Sequence, residues 1–132
     1  MDYGSREIEK LDLIKIITYA YIAFFIYAGI NHFRYPSFYD NIVPSYIPFP
    51  NFTHKLAGIL EIIIPLFLLT KYRSTAALFM IIFIVLLYLG NLHVWLNNLP
   101  YGKNYFSNFQ HTIRLFLQIL LIYLTYIIYK YG

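Results

Sequence analysis

No cysteine occurs in this sequence, and that absence removes thiol–disulfide exchange, disulfide staples, thiolate metal sites and cysteine-held iron–sulfur clusters from the chemistry open to the chain. Charge is scarce too: only 12% of the 132 residues are charged, about half the share of a soluble domain. No Gly-rich phosphate-binding motif, internal repeat or low-complexity run is present, and no Lys/Arg cluster is long enough to suggest nucleic acid. The first dozen residues, MDYGSREIEKLD, mix both charge signs and lead into an apolar stretch without a small-residue cleavage site. That stretch therefore reads as retained rather than as a signal peptide.

Hydrocarbon fills the space that charge leaves. Hydrophobic residues make up 60% of the chain, too much apolar surface for so short a soluble fold to hide. The apolar runs cover about 13–32, 54–70, 74–96 and 112–129. Crossing a bilayer core of about 30 Å takes about 20 helical residues, so the expected fold is an all-α membrane protein. It is a four-transmembrane-helix bundle forming one membrane domain over residues 1–132. The runs are continuous rather than alternating, which sets a β-barrel aside. The second run is the shortest, and Pro65 inside it removes a backbone donor and predicts a kink.

Lysine and arginine set the orientation. Arg6, Lys10, Lys15, Lys71, Arg73 and Lys130 fall on the side of the termini, and Arg34, Lys55 and Lys103 on the other. Six against three predicts a multi-pass protein of the cell membrane with N- and C-termini cytoplasmic. Between the first two spans, 34–53 carries Pro36, Pro44, Pro48 and Pro50 among Phe38, Tyr39, Ile42, Val43, Tyr46 and Phe49. Prolines forbid a long helix there, and the apolar residues suit either an outer cap over the bundle or a loop anchored in lipid.

Three ionisable residues interrupt the apolar runs: Glu61, His93 and Arg114. Each charge at the centre of a span costs about 2.5–3.5 kcal/mol, so such groups face the bundle interior and pair. Helical spacing puts His54, Gly58, Glu61 and Pro65 on one stripe, His111, Arg114 and Gln118 on another, and Phe25, Gly29 and His32 on a third. Asn91 and His93 differ by about 200° around their helix, so only one can point at a common centre. Depths along the helices bring His32, Glu61, Asn91, His93, Arg114 and Gln118 into the outer half of the bundle, and the inner half carries almost nothing polar. A one-sided pocket follows, rather than a path across the membrane, with Glu61 and Arg114 expected to pair across the second and fourth spans.

Several segments resemble one family. AGINHF at 28–33, the spacing to Pro36, Phe38 and Tyr39, IVPSYIP at 42–48, Gly58 with Glu61, Arg73 with Ala76 and Ala77, NLHV at 91–94, and Arg114 with Gln118 look like the DoxX-like family of small four-helix membrane proteins. The resemblance covers about 16–129. It implies a four-span bundle found mostly in bacteria and archaea, and a link to quinone-dependent sulfur oxidation or to membrane oxidoreductase complexes. Phe116 departs from the pattern, which often has proline between the arginine and the glutamine.

Three classes of function stay open. The pocket can hold a quinone or similar amphipathic small molecule, with His32, Glu61 and Arg114 as hydrogen-bonding groups and Phe25, Phe33, Tyr88 and Trp95 as ring contacts. The chain can instead be an accessory or scaffold subunit, docked in a larger membrane complex or on a second copy of itself, with Glu61 and Arg114 fixing helix register. Third, His32 and His93 could ligate haem or a metal, but their offset of about 9 Å along the bundle argues against shared axial ligation. No metal is therefore assigned, no nucleophile is evident, and neither enzymatic activity nor a certain cofactor follows. The lipid bilayer is the one partner common to all three classes.

Overall fold

Helix α1 (Tyr3–Arg34) runs 32 residues without interruption because no proline falls within it. Pro36 ends it: the residue before a proline is pushed out of the helical region, and Tyr35 sits at φ −131°, ψ 62°. Pro36 then opens the single turn α2 (Pro36–Tyr39), a position where its missing N–H is not needed. Helix α3 (Pro50–Leu66) again starts on a proline and is followed by a 3₁₀ turn (Phe67–Leu69). Helices α4 (Arg73–Leu96) and α5 (Asn108–Tyr131) complete the order. The computed structural model describes residues 3–132, and among these there is no β-strand, only an isolated bridge between Tyr101 and Asn104.

The chain is all-helical, with four helices long and apolar enough to cross a membrane: α1, α3 with its 3₁₀ turn, α4 and α5. Their outward faces keep Ile16, Phe24, Ile63, Phe79, Ile82, Phe116 and Leu120 exposed, a surface compatible with a lipid bilayer and too apolar for a soluble monomer. Three boundaries differ from the sequence reading. The charged lead-in is the first part of α1, with an exposed Glu7–Lys10 pair at 3.8 Å. Helix α3 starts at Pro50 rather than near 54. Helix α5 starts at Asn108 because Ser107 and Gln110 form a reciprocal capping box: Gln110 N donates to Ser107 Oγ at 3.2 Å and Ser107 N to Gln110 Oε1 at 2.9 Å.

Helix α1 packs chiefly on α3, and α4 on α5. Gly29 and Gly58 make the first contact as close as it is: a Cβ on Gly29 would run into the Gly58 carbonyl, and one on Gly58 would lie 2.8 Å from His32 Cβ. Small residues at such a crossing let two backbones approach where side chains would hold them apart. Away from the loops, Tyr21, Phe25, Leu68, Ala77, Met80, Ile84 and Ile128 form the apolar core. The inner half is not wholly apolar, since the Tyr21 hydroxyl and Thr125 Oγ1 share a buried hydrogen bond of 2.6 Å. Pro65 is buried near the end of α3 and has no N–H for the Glu61 carbonyl one turn back; the helix tightens into the 3₁₀ turn two residues later. In the loop before α3, Ile42 lies against Gly90 of α4, where a Cβ would meet Ile42 O at 2.7 Å, and Asn41 Nδ2 donates to Pro100 O at 2.9 Å. Tyr46 and Phe49 further along stay exposed.

Candidate functional site

Close packing at Gly58 determines what His32 can reach. The ring sits over the glycine, with His54 one turn before it and Glu61 nearly one turn after it on the buried stripe of α3. His32 Nδ1 lies 3.3 Å from His54 Nδ1, and His32 Nε2 lies 3.3 Å from Glu61 Oε2. His54 Nε2 in turn meets Asp40 Oδ1 at 3.1 Å. Tyr39 of α2 stacks on His32 with ring centroids 3.9 Å apart and planes 21° from parallel. Both histidines are buried, and so is Glu61, at 6% exposure.

Helices α4 and α5 place a cation without a carboxylate. Arg114 Nη2 donates to Asn91 Oδ1 at 3.0 Å, and the Tyr101 hydroxyl donates to the same oxygen at 2.8 Å. The guanidinium carbon stands 4.6 Å from the centre of the Tyr101 ring and 5.5 Å from that of Phe106, a cation–π arrangement. The expected Glu61–Arg114 ion pair is therefore not formed. Each charge has found a nearer partner, because the α1–α3 crossing inserts His32 beside Glu61 and the 97–107 connection brings Tyr101 under Arg114.

Both charges nonetheless open on one cavity of about 300 Å³, which His32, Glu61, Asn91, Arg114 and Gln118 line together with Phe25, Phe38, Tyr39 and Leu87. Glu61 Oε2 is buried there without a hydrogen-bond partner, its 3.3 Å approach to His32 lacking the geometry of a bond, and Arg114 Nε is buried and unpartnered too. Phe24 and Leu121 also line the cavity, and the same two residues begin an apolar groove of about 350 Å³ between α1 and α5, with Ile17, Ala20, Leu117 and Leu124 along it. Phe24 and Leu121 thus stand between the polar cavity and the groove, as a wall common to both.

Outside the long helices, burial controls two phenols. It pushes Tyr39 up to about 12, with the Glu61 charge adding to the rise and Arg114 opposing it. Tyr101 is raised for the same first reason, again against the pull of Arg114. Both present neutral hydroxyls at any physiological pH.

Of the six residues singled out from sequence, His93 alone stands elsewhere. It contacts Asn97 Nδ2 at 3.2 Å and lines a separate cavity with Asp40, Pro44 and Leu99, as the angular offset from Asn91 requires. The ring contacts also change: Phe25 is in place, but Trp95 stacks on His111 at 5.3 Å and Phe33 is exposed, while Phe24, Phe38 and Tyr39 take their roles. Sequence reasoning missed His54, Asp40, Tyr39 and Tyr101 as members of the site. His54 shared a stripe with Glu61 and was legible on that ground; Asp40 and Tyr101 are carried in by loops, which leave no periodic signal. Among the described residues no three His, Asp or Glu side chains converge as a metal site; the acidic and imidazole groups form a line instead. No curated protein and no solved structure matches the chain. Residues 22–129 match the family described as a domain of unknown function (DUF8561), and the chain belongs to that family.

Proposed function

We propose that this protein is a multi-pass component of the cell membrane, DoxX-like in kind, that receives a quinone or similar amphipathic carbonyl compound and serves as a small subunit of a membrane oxidoreductase system. The observation that carries the reading is the pair of unsatisfied groups. A buried donor or acceptor left unmade costs about 1–3 kcal/mol, and Glu61 Oε2 and Arg114 Nε leave one of each in a single cavity without bonding to one another. Such a pair suits a quinone-class ring: a ring carbonyl accepts from the guanidinium, and a hydroxyl of the reduced ring donates to the carboxylate.

The shape of the space supports the same class. A cavity near 300 Å³ is at the small end of ligand sites, enough for one ring flanked by Phe25, Phe38 and Tyr39. An apolar groove between α1 and α5 adjoins it across Phe24 and Leu121, and a hydrocarbon tail that passes these two side chains would lie there against lipid. In this reading both termini are cytoplasmic, by the excess of basic residues on that side, and the cavity opens towards the outer leaflet. A purely structural role remains the second reading, favoured by the mutual bonding of Asn91, Tyr101 and Arg114, which alone would lock α4 to α5.

Mass spectrometry of small molecules released from protein purified in mild detergent separates the two. A tailed quinone that accompanies the wild type and is lost from a folded Arg114→Gln variant supports the ligand reading. Protein that carries no ring compound, whatever the membrane source, supports the structural one.

A further inference from the structure

The line of side chains from Glu61 to the loop surface has a direction. Asp40 is 44% exposed at its side chain, and as a carboxylate it can only accept a hydrogen bond. His54 Nε2 must then be the donor across their 3.1 Å contact. A neutral His54 consequently presents a bare Nδ1 to His32, and the 3.3 Å contact between the two Nδ1 atoms requires His32 to donate from Nδ1. That leaves His32 Nε2 bare, or charged if it carries a second proton, towards Glu61 Oε2 at 3.3 Å. One proton fits between these last two atoms, and the carboxyl oxygen concerned has no other partner.

We propose that Glu61, His32, His54 and Asp40 form a proton relay that connects the buried cavity to solvent at the loop end of the bundle. In one passage the Glu61 O–H bond breaks as an N–H bond forms at His32 Nε2. The proton on His32 Nδ1 moves to His54 Nδ1, and the proton on His54 Nε2 moves to Asp40, which releases it to water. Glu61 is left as a carboxylate, ready to take a proton from a group in the cavity. Both rings finish in the opposite tautomer, so the relay carries one proton and is reset by a proton returning along it or by rotation of the rings. The last link forms when the Glu61 carboxyl turns towards His32 Nε2, since the 3.3 Å approach lacks the geometry of a bond.

Stacking of Tyr39 on His32 and the close wall of Gly58 hold the His32 ring in place. The charged and titratable groups facing the two rings are Glu61 and Lys55 from α3, Asp40 and Tyr39 from the segment after α1, and Arg114 across the cavity from α5. The relay rests on the cavity being a ligand site only for the identity of the group that exchanges the proton. For a quinone-class ligand, that group would be a ring hydroxyl.

The test needs no ligand, so its failure is distinct from a failure of ligand binding. Protein labelled with nitrogen-15 at histidine, in nanodiscs, should show His54 protonated at Nε2, His32 protonated at Nδ1 and a scalar coupling between the two Nδ1 nuclei across their hydrogen bond. On transfer to deuterated water, the His32 ring proton should exchange fast in the wild type and about a hundredfold slower in His54→Phe, the scale of loss when a positioned proton-transfer group is removed. Asp40→Ala, at a half-exposed position, should also slow it, and the ring proton of His111, which lies against Trp95 away from the relay, should be unaffected in either variant. Equal exchange of His32 in wild type and Asp40→Ala, or the reverse tautomers without coupling, would overturn the relay.

Discussion

Glu61 on α3 and Arg114 on α5 line one cavity, yet the carboxylate lies against His32 at 3.3 Å while the guanidinium bonds Asn91 at 3.0 Å. Each opposite charge is thus held by a group that needs no countercharge. Both helices can be fixed in register without neutralising the cavity, and its polar atoms stay directed at whatever enters.

The partner exchange predicts an order of coupling energies. A double-mutant cycle of Asn91→Ala with Arg114→Met, read by unfolding in mixed detergent micelles, should show a coupling in the range of about 0.5–3 kcal/mol found for bonded neighbours. The cycle of Glu61→Gln with Arg114→Met should give the smaller value. The reverse order would mean that the two charges pair directly.

Gly58 is where α1 and α3 come closest to the relay. A Cβ there would lie 2.8 Å from His32 Cβ and 2.9 Å from Gly29 O, so Gly58→Ala should destabilise the protein by about 1–3 kcal/mol through overpacking. It should also displace the His32 ring. Wild-type stability in this variant would contradict the packing of the crossing.

For Tyr39, burial raises the folded-state value from 10.0 to about 12. The neutral phenol is the form the fold favours, so its contribution is fully present below pH 10 and is lost as pH rises through about 12. A difference ultraviolet titration of wild type minus Tyr39→Phe should show one phenol ionising near the upper value. Ionisation at the ordinary tyrosine position would mean that the hydroxyl is not buried.

If the four apolar helices all cross the membrane in the proposed orientation, a phosphatase that is active only outside the cytoplasm should be silent when fused after Gly132, and a cytoplasmic reporter should be active. The opposite pattern would mean an odd number of crossings or an inverted insertion.

Helical periodicity made much of this legible. His54, Gly58, Glu61 and Pro65, read as one stripe, are the four buried residues of α3, and Phe25, Gly29 and His32 are all buried on α1. A stripe says which residues face inward, but not which helix they meet. Neighbour choice came from the approach of Gly29 to Gly58, a tertiary event that put His32 rather than Arg114 beside Glu61. Asp40 and Tyr101 entered through loop geometry, where no period exists to read. The start of α5 was a different omission: Ser107 and Gln110 have the spacing of a capping box in the sequence itself.

The most direct test is the binding of a short-chain quinone to purified protein, measured by equilibrium dialysis for wild type, Glu61→Gln, Arg114→Gln and His93→Ala. Saturable binding to the wild type is predicted, weakened about tenfold or more by either cavity substitution, the equivalent of about 1.4 kcal/mol, and unchanged in His93→Ala. Affinity that is the same in all four proteins, or that falls with His93→Ala alone, would contradict the assignment of the Glu61–Arg114 cavity as the ligand site.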